Sequence, residues 1–151
     1  MSKKKKSFDV LTLVVLILGV ITFAIMFLKA VYVDIPSPLE DIEYTGLQMA
    51  FGYKDGNTQI FEFNILAALM YIVPLLSSIL VVIASSGIKK VIYLVCGLFF
   101  VGSAVLLGLT KEIVELPLAS ILNYELTVFT IIGIVTASLA ALVSFILVVK
   151  D

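Results

Sequence analysis

Of 151 residues, 62% are hydrophobic and only 14% charged, with a mean hydropathy of +1.21, more apolar side chain than a soluble domain of this size can bury. The formal net charge of -1 sets ten Lys and no Arg against eleven acids, which argues against bidentate recognition of phosphate or nucleic acid. With no His and Cys96 as the sole cysteine, the chain has no internal disulfide, no His- or Cys-built metal site and no Ser–His or metal-dependent hydrolase chemistry.

In chain order, Lys3 to Lys6 precede an apolar run from Val10 to Leu28 that continues past Lys29 to Val33. The run is long for a signal-peptide core and no small-x-small cleavage site follows it, so it reads as an uncleaved first span. Further apolar runs at 65–84, 91–109 and 126–149 are each long enough for a hydrocarbon core of about 30 Å at 1.5 Å per residue. The predicted fold is therefore an all-α membrane protein of one domain over 1–151. It is a four-helix transmembrane bundle, spans about 10–33, 65–84, 91–109 and 126–149, with a small extracellular β-hairpin or sheet in the first outer loop. Lys3 to Lys6, Lys89, Lys90 and Lys150 fall on one side of such a bundle, while the connections 34–64 and 110–125 hold only Lys54 and Lys111 among nine acids. Lysines near span ends decide topology, so both termini are expected in the cytoplasm of a cell-membrane protein. The second outer connection, with Pro117 in an apolar mid-section, reads as a short interfacial helix or an irregular lid.

The first outer connection is the only stretch outside the spans that is patterned like folded structure. Leu47, Met49, Phe51 and Tyr53 alternate with Gln48, Ala50 and Gly52, the period-2 signature of a strand with one apolar face. Phe61 and Phe63 alternate with Ile60 and Glu62 beyond the turn signal Lys54-Asp55-Gly56-Asn57. A two-residue Asp55-Gly56 turn would pair Phe51 with Ile60. A three-residue loop, Asp55-Gly56-Asn57, pairs Phe51 with Phe61 and Met49 with Phe63, so that all six large apolar side chains share one face; this register is preferred. A water-facing apolar sheet is rarely left bare, so Leu47, Met49, Phe51, Tyr53, Phe61 and Phe63 are the candidate partner-contact residues, with membrane contact and internal packing as the other readings.

Within the spans, Lys29 is expected to snorkel outward, the alternative being an ion pair with an acid of the outer connections. Pro74, with Ser77 and Ser78 after it, predicts a kink whose freed backbone group a Ser hydroxyl could satisfy. Cys96 reads as a small packing residue. Gly133, Ala137 and Ala141 recur at four-residue spacing in the fourth span, and Gly102, Ala104 and Gly108 lie in the third. Small residues at such spacing let backbones approach in lipid; packing within the bundle is favoured over an oligomer contact.

This layout resembles the claudin superfamily, with four helices, cytoplasmic ends, a larger first outer loop carrying strands and a smaller second one. Claudins carry Gly-Leu-Trp, a Cys three residues on, and a second Cys eight to ten residues later. Here Gly46-Leu47 match, Gln48 replaces the Trp, and Phe51 and Phe61 stand where the Cys pair would fall. The resemblance implies a non-enzymatic role, either lateral assembly with cell–cell contact or an accessory subunit beside a channel or transporter. An aromatic pair at 51 and 61 would contribute about 0.5–1.5 kcal/mol beyond its burial, against about 2–4 kcal/mol for a disulfide. The expected function is thus structural or accessory, with lipids and another membrane protein or a second copy as partners, and no nucleic acid or cofactor. The alternative is a small oligomeric transport or lipid-handling protein working through the third and fourth spans, which offer only Ser, Thr and Gly for a polar path.

Overall fold

The computed structural model describes residues 10–33, 42–84, 87–113 and 124–150. Lys3 to Lys6, Pro117 and four of the nine acids of the two connections, Asp34, Glu40, Asp41 and Glu115, lie outside them.

Four helices are long and apolar enough to cross a membrane. They are α1 (Val10–Ala24), which runs on as a 3-10 turn over Ile25–Phe27, α3 (Ile65–Ile83), α4 (Lys89–Gly108) and α6 (Val128–Lys150). Between them lie strand β1 (Lys29–Val33), strand β2 (Ile42–Thr45), the short helix α2 (Gly46–Phe51), strands β3 (Tyr53–Asp55) and β4 (Thr58–Phe61), the single turn α5 (Thr110–Ile113) and strand β5 (Tyr124–Leu126). Each long helix packs against its chain neighbours and α6 closes the ring against α1.

The first apolar run does not stay helical to Val33. The helical segment stops at Phe27, and Lys29–Val33 becomes the central strand of an antiparallel sheet of order β2-β1-β5. Its composition explains the switch, since Val31, Tyr32 and Val33 are β-branched or aromatic and favour a pleated, half-buried surface. Val31 pairs with Tyr44 on one side and Leu126 on the other, so the two connections between spans are joined in one sheet. A second, two-stranded sheet pairs β3 with β4. Together with α2 these strands form a cap over one end of the bundle.

The cap is fastened by named bonds. Thr130 Oγ1 donates to the Ala30 carbonyl at 2.7 Å and the Thr127 N–H to the same carbonyl at 2.9 Å; the Thr127 hydroxyl donates to the Lys29 carbonyl. These hold β1 to the start of α6. The buried core of the cap, Val31, Met49, Ala50 and Phe61, is continuous with Met70, Tyr71 and Leu107 of the bundle. A second buried cluster, including Val15, Val81, Cys96, Phe100 and Leu147, lies deeper among the helices.

Inside the bundle, close approach depends on small residues. A Cβ at Gly19 would stand 2.4 Å from Ser78 Cβ and 2.7 Å from the Pro74 carbonyl oxygen, so α1 touches α3 backbone where Pro74 sits. The hydroxyls of Thr22 and Thr136 meet at 2.7 Å across α1 and α6, a contact worth about 0.6 kcal/mol in a membrane bundle. Ser78 donates to the Leu75 carbonyl at 2.7 Å, not to the Met70 carbonyl that Pro74 leaves without its helical donor.

Candidate functional site

The stretch expected to be the first strand of the hairpin is instead α2. Thr45 sets this: its hydroxyl accepts from the Gln48 N–H at 3.2 Å, while Gln48 Oε1 accepts from the Thr45 N–H at 2.9 Å. This reciprocal capping box satisfies two amide donors and starts a helix, which overrides the alternation of residues 47 to 53. Gly46, Met49 and Ala50, at helical spacing, form its buried face. Gly52 at φ 97° turns the chain out of the helix into β3, a conformation for which a side chain is strained.

The hairpin register differs accordingly. Asp55 pairs with Thr58 and Lys54 with Gln59, so the turn is Gly56-Asn57, and Gly56 takes φ 61° as in a type II′ turn. A bulge then shifts the pairing so that Tyr53 lies opposite Phe61. Phe51 is therefore not the partner of Phe61, nor Met49 that of Phe63, and the proposed aromatic stand-in for the claudin cysteine pair does not form. The six large apolar side chains therefore do not share one face, and the bulge brings only Tyr53 opposite Phe61. Tyr44 of β2 meets Phe61 edge-on at 5.0 Å and Tyr53 at 6.0 Å between ring centroids.

The six candidate contact residues thus separate into two groups. Met49 and Phe61 are buried in the core shared by cap and bundle, and Tyr53 packs against it. Leu47, Phe51 and Phe63 are exposed, and the rings of Phe51 and Phe63 lie 6.1 Å apart.

The small-residue set also divides. In α6, Gly133, Ala137 and Ala141 are buried together with Thr136, Ala140 and Ser144, facing the other helices. In α4, Ala104 is half-buried, whereas Gly102 and Gly108 face outward with no atom of the described residues within 4 Å of an added Cβ. They bring no helix of this bundle closer, a correction to their expected packing role. Small residues of α4 that do pack include Gly97, where a Cβ would lie 2.7 Å from the Phe145 ring, and the buried Ser103. A phase difference of one residue, about 100° around the helix, separates outward Gly102 from buried Ser103: spacing alone does not say which side of an apolar helix points inward.

Lys29, placed at the first position of β1 rather than in a helix, forms an ion pair with Glu43 of β2. Both side chains are substantially exposed, so the pair is worth at most about 1 kcal/mol.

Asn64 and Tyr71 were not singled out by sequence reasoning. Asn64 caps α3, its Oδ1 accepting from Leu66 and Ala67 N–H at 3.0 and 3.2 Å, and its Nδ2 donating to the Ile113 carbonyl of α5 at 2.9 Å. An Asn directly before an apolar run is a readable helix-start signal; its link to the second connection is not. Tyr71 is fully buried, its hydroxyl has no hydrogen-bond partner among the described residues, and Gly46 lies directly on its ring.

Comparison of the chain with models of known families, with curated proteins and with solved structures returns no match. Among the described residues no group of three or more Cys, Asp or Glu gathers as metal ligands.

Proposed function

We propose that this is a non-enzymatic, multi-pass cell-membrane protein of claudin-like layout, a structural or accessory subunit whose cap contacts a neighbouring membrane protein or a second copy. The observation that carries the reading is the joining of both outer connections in one sheet, β2-β1-β5, anchored on α6 through Thr127 and Thr130. A folded platform held rigidly on the bundle suits recognition better than a mobile loop does. The lysine asymmetry supports cytoplasmic termini and an extracellular cap. The contact is assigned to the hairpin side of the cap, where Lys54 and Glu62 are exposed.

The transport reading is less well supported. The buried hydroxyls of Thr110 and Ser144 donate to the Leu107 and Ala140 carbonyls at 2.6 and 2.8 Å, and those of Thr22 and Thr136 are taken up by each other and by nearby backbone carbonyls, so they are spent within the bundle rather than lining a path.

The test is affinity capture from native membranes in mild detergent, with the mass of the complex measured. One stoichiometric membrane partner, or a self-assembly of defined mass, is expected, and either is expected to be lost in a Lys54→Glu/Glu62→Lys variant that still inserts. A bare monomer from the native chain overturns the proposal.

A further inference from the structure

At six residues, α2 is too short to persist on its own hydrogen bonds. Two bonds from outside hold its ends. The Gly46 N–H donates to the Leu28 carbonyl at 3.3 Å, and the Asn64 N–H donates to the Ala50 carbonyl at 2.9 Å. Leu28 is the residue just past the helical segment that begins with α1, and Asn64 is the cap of α3. Both ends of α2 therefore sit at the level where one membrane-length helix stops and the next begins, and its axis lies across the bundle. The two helical segments concerned have 18 and 19 residues, about 27–29 Å at 1.5 Å per residue, close to the roughly 30 Å of a hydrocarbon core. That level is the boundary between hydrocarbon and headgroups.

The sides of α2 match such a position. Its inward face is Gly46, Met49 and Ala50. Leu47 and Phe51, four residues apart and so on one side, are 38% and 46% exposed, and Phe63, whose ring lies tilted beside that of Phe51, is 60% exposed. Exposed apolar residues of the spans continue directly from this group: Phe27 and Leu28 from one helix end, Ile65 and Leu66 from the other. Gln48, the polar residue between Leu47 and Met49, is engaged in the capping box.

We propose that α2 is a membrane-interface wedge, with Leu47, Phe51 and Phe63 seated in the lipid of the cap-side leaflet. The occupant of this apolar side is lipid because the side continues the exposed apolar surface of α1 and α3 at the same depth; an apolar helix side at that depth is buried at the boundary of headgroups and acyl chains. The inference rests on the four helices crossing a membrane and is independent of whether the cap has a protein partner. It also assigns the exposed three of the six candidate contact residues to lipid, leaving the hairpin side of the cap for protein.

The chain contains no Trp, so Phe51→Trp, Phe63→Trp and Leu47→Trp each place the only indole of the protein at one point. Each full-length variant is reconstituted in phosphatidylcholine vesicles carrying bromine either near the headgroup or deep in the acyl chain. At least a twofold loss of emission is expected with shallow bromine, with less quenching by deep bromine. Lys54→Trp, at the hairpin, is expected to respond to aqueous acrylamide and not to brominated lipid. Indoles at 47, 51 and 63 open to acrylamide but untouched by brominated lipid would overturn the proposal by placing the side in water. Indoles shielded from both would overturn it by placing a protein, such as a second copy, on that side. Stronger quenching by deep bromine would overturn the interfacial depth. The three positions report separately, so misfolding of one variant leaves the other two to decide.

Discussion

The bundle and the cap are held together by different means. In the bundle, close packing comes from small residues and hydroxyls, with Gly19 against Ser78 and Pro74 and Thr22 against Thr136. Lipid supplies no hydrophobic drive between helices, so backbone proximity and a few hydrogen bonds have to suffice. In the cap, the contacts are large aromatic and thioether side chains, Tyr44, Met49, Tyr53 and Phe61, together with capping bonds at Thr45 and Asn64. There water is the alternative environment, so burying such groups is favourable by about 1.5–3 kcal/mol each. The comparison shows that one chain uses two packing chemistries, divided where β1 leaves the first span.

If the division holds, damage on one side should leave the other standing. The largest effect is expected from Met49→Asp, which places a carboxyl in the core under the cap at a cost of about 3–5 kcal/mol. Limited proteolysis should then cut the 34–64 connection while the four helices remain inserted; intact resistance would mean that the cap does not depend on this core. Next comes Gly19→Ala. Its Cβ has to displace the Pro74 backbone, and overpacking of this kind costs about 1–3 kcal/mol. The melting temperature in detergent should fall, with the loss located in the helices by hydrogen exchange.

Thr45→Ala removes one half of the capping box and should cost about 1 kcal/mol. Hydrogen exchange is expected to quicken in α2 and not in α3 or α6. Uniform quickening would instead make cap and bundle one cooperative unit. The smallest effect, opposite in sign, is expected at the seam. Tyr71→Phe removes a buried hydroxyl without a partner among the described residues, and should leave stability unchanged or raise it by up to about 1 kcal/mol. A loss of stability on thermal unfolding would show that the hydroxyl is satisfied in the folded protein.

The cap was only partly legible. The turn signal at residues 54–57 marked a hairpin correctly, but Leu47 to Phe51 alternates in a way that fits both a strand and a helix. Thr45 and Gln48 carried the deciding information, and their spacing is a known helix start. The switch of Lys29–Val33 from helix to strand was hidden because an apolar run fits either structure. The inward face of α6 and the outward face of Gly102 and Gly108 could not be told apart by spacing, since an apolar helix in lipid has no polar side to set its phase.

What the sequence determined by itself was the number of the membrane-length helices, the approximate bounds of the last three, and the presence of one structured connection. These follow from runs of apolar residues and from local turn chemistry, which act over neighbouring positions. What only the tertiary structure decided was the sheet joining the two connections, the pairing of Tyr53 with Phe61, and which of the six apolar residues lie inside. Those depend on contacts between residues far apart in the chain, such as Thr130 with Ala30 and Asn64 with Ile113. No local pattern encodes such contacts, because their energy is realised only when the helices have brought the partners together.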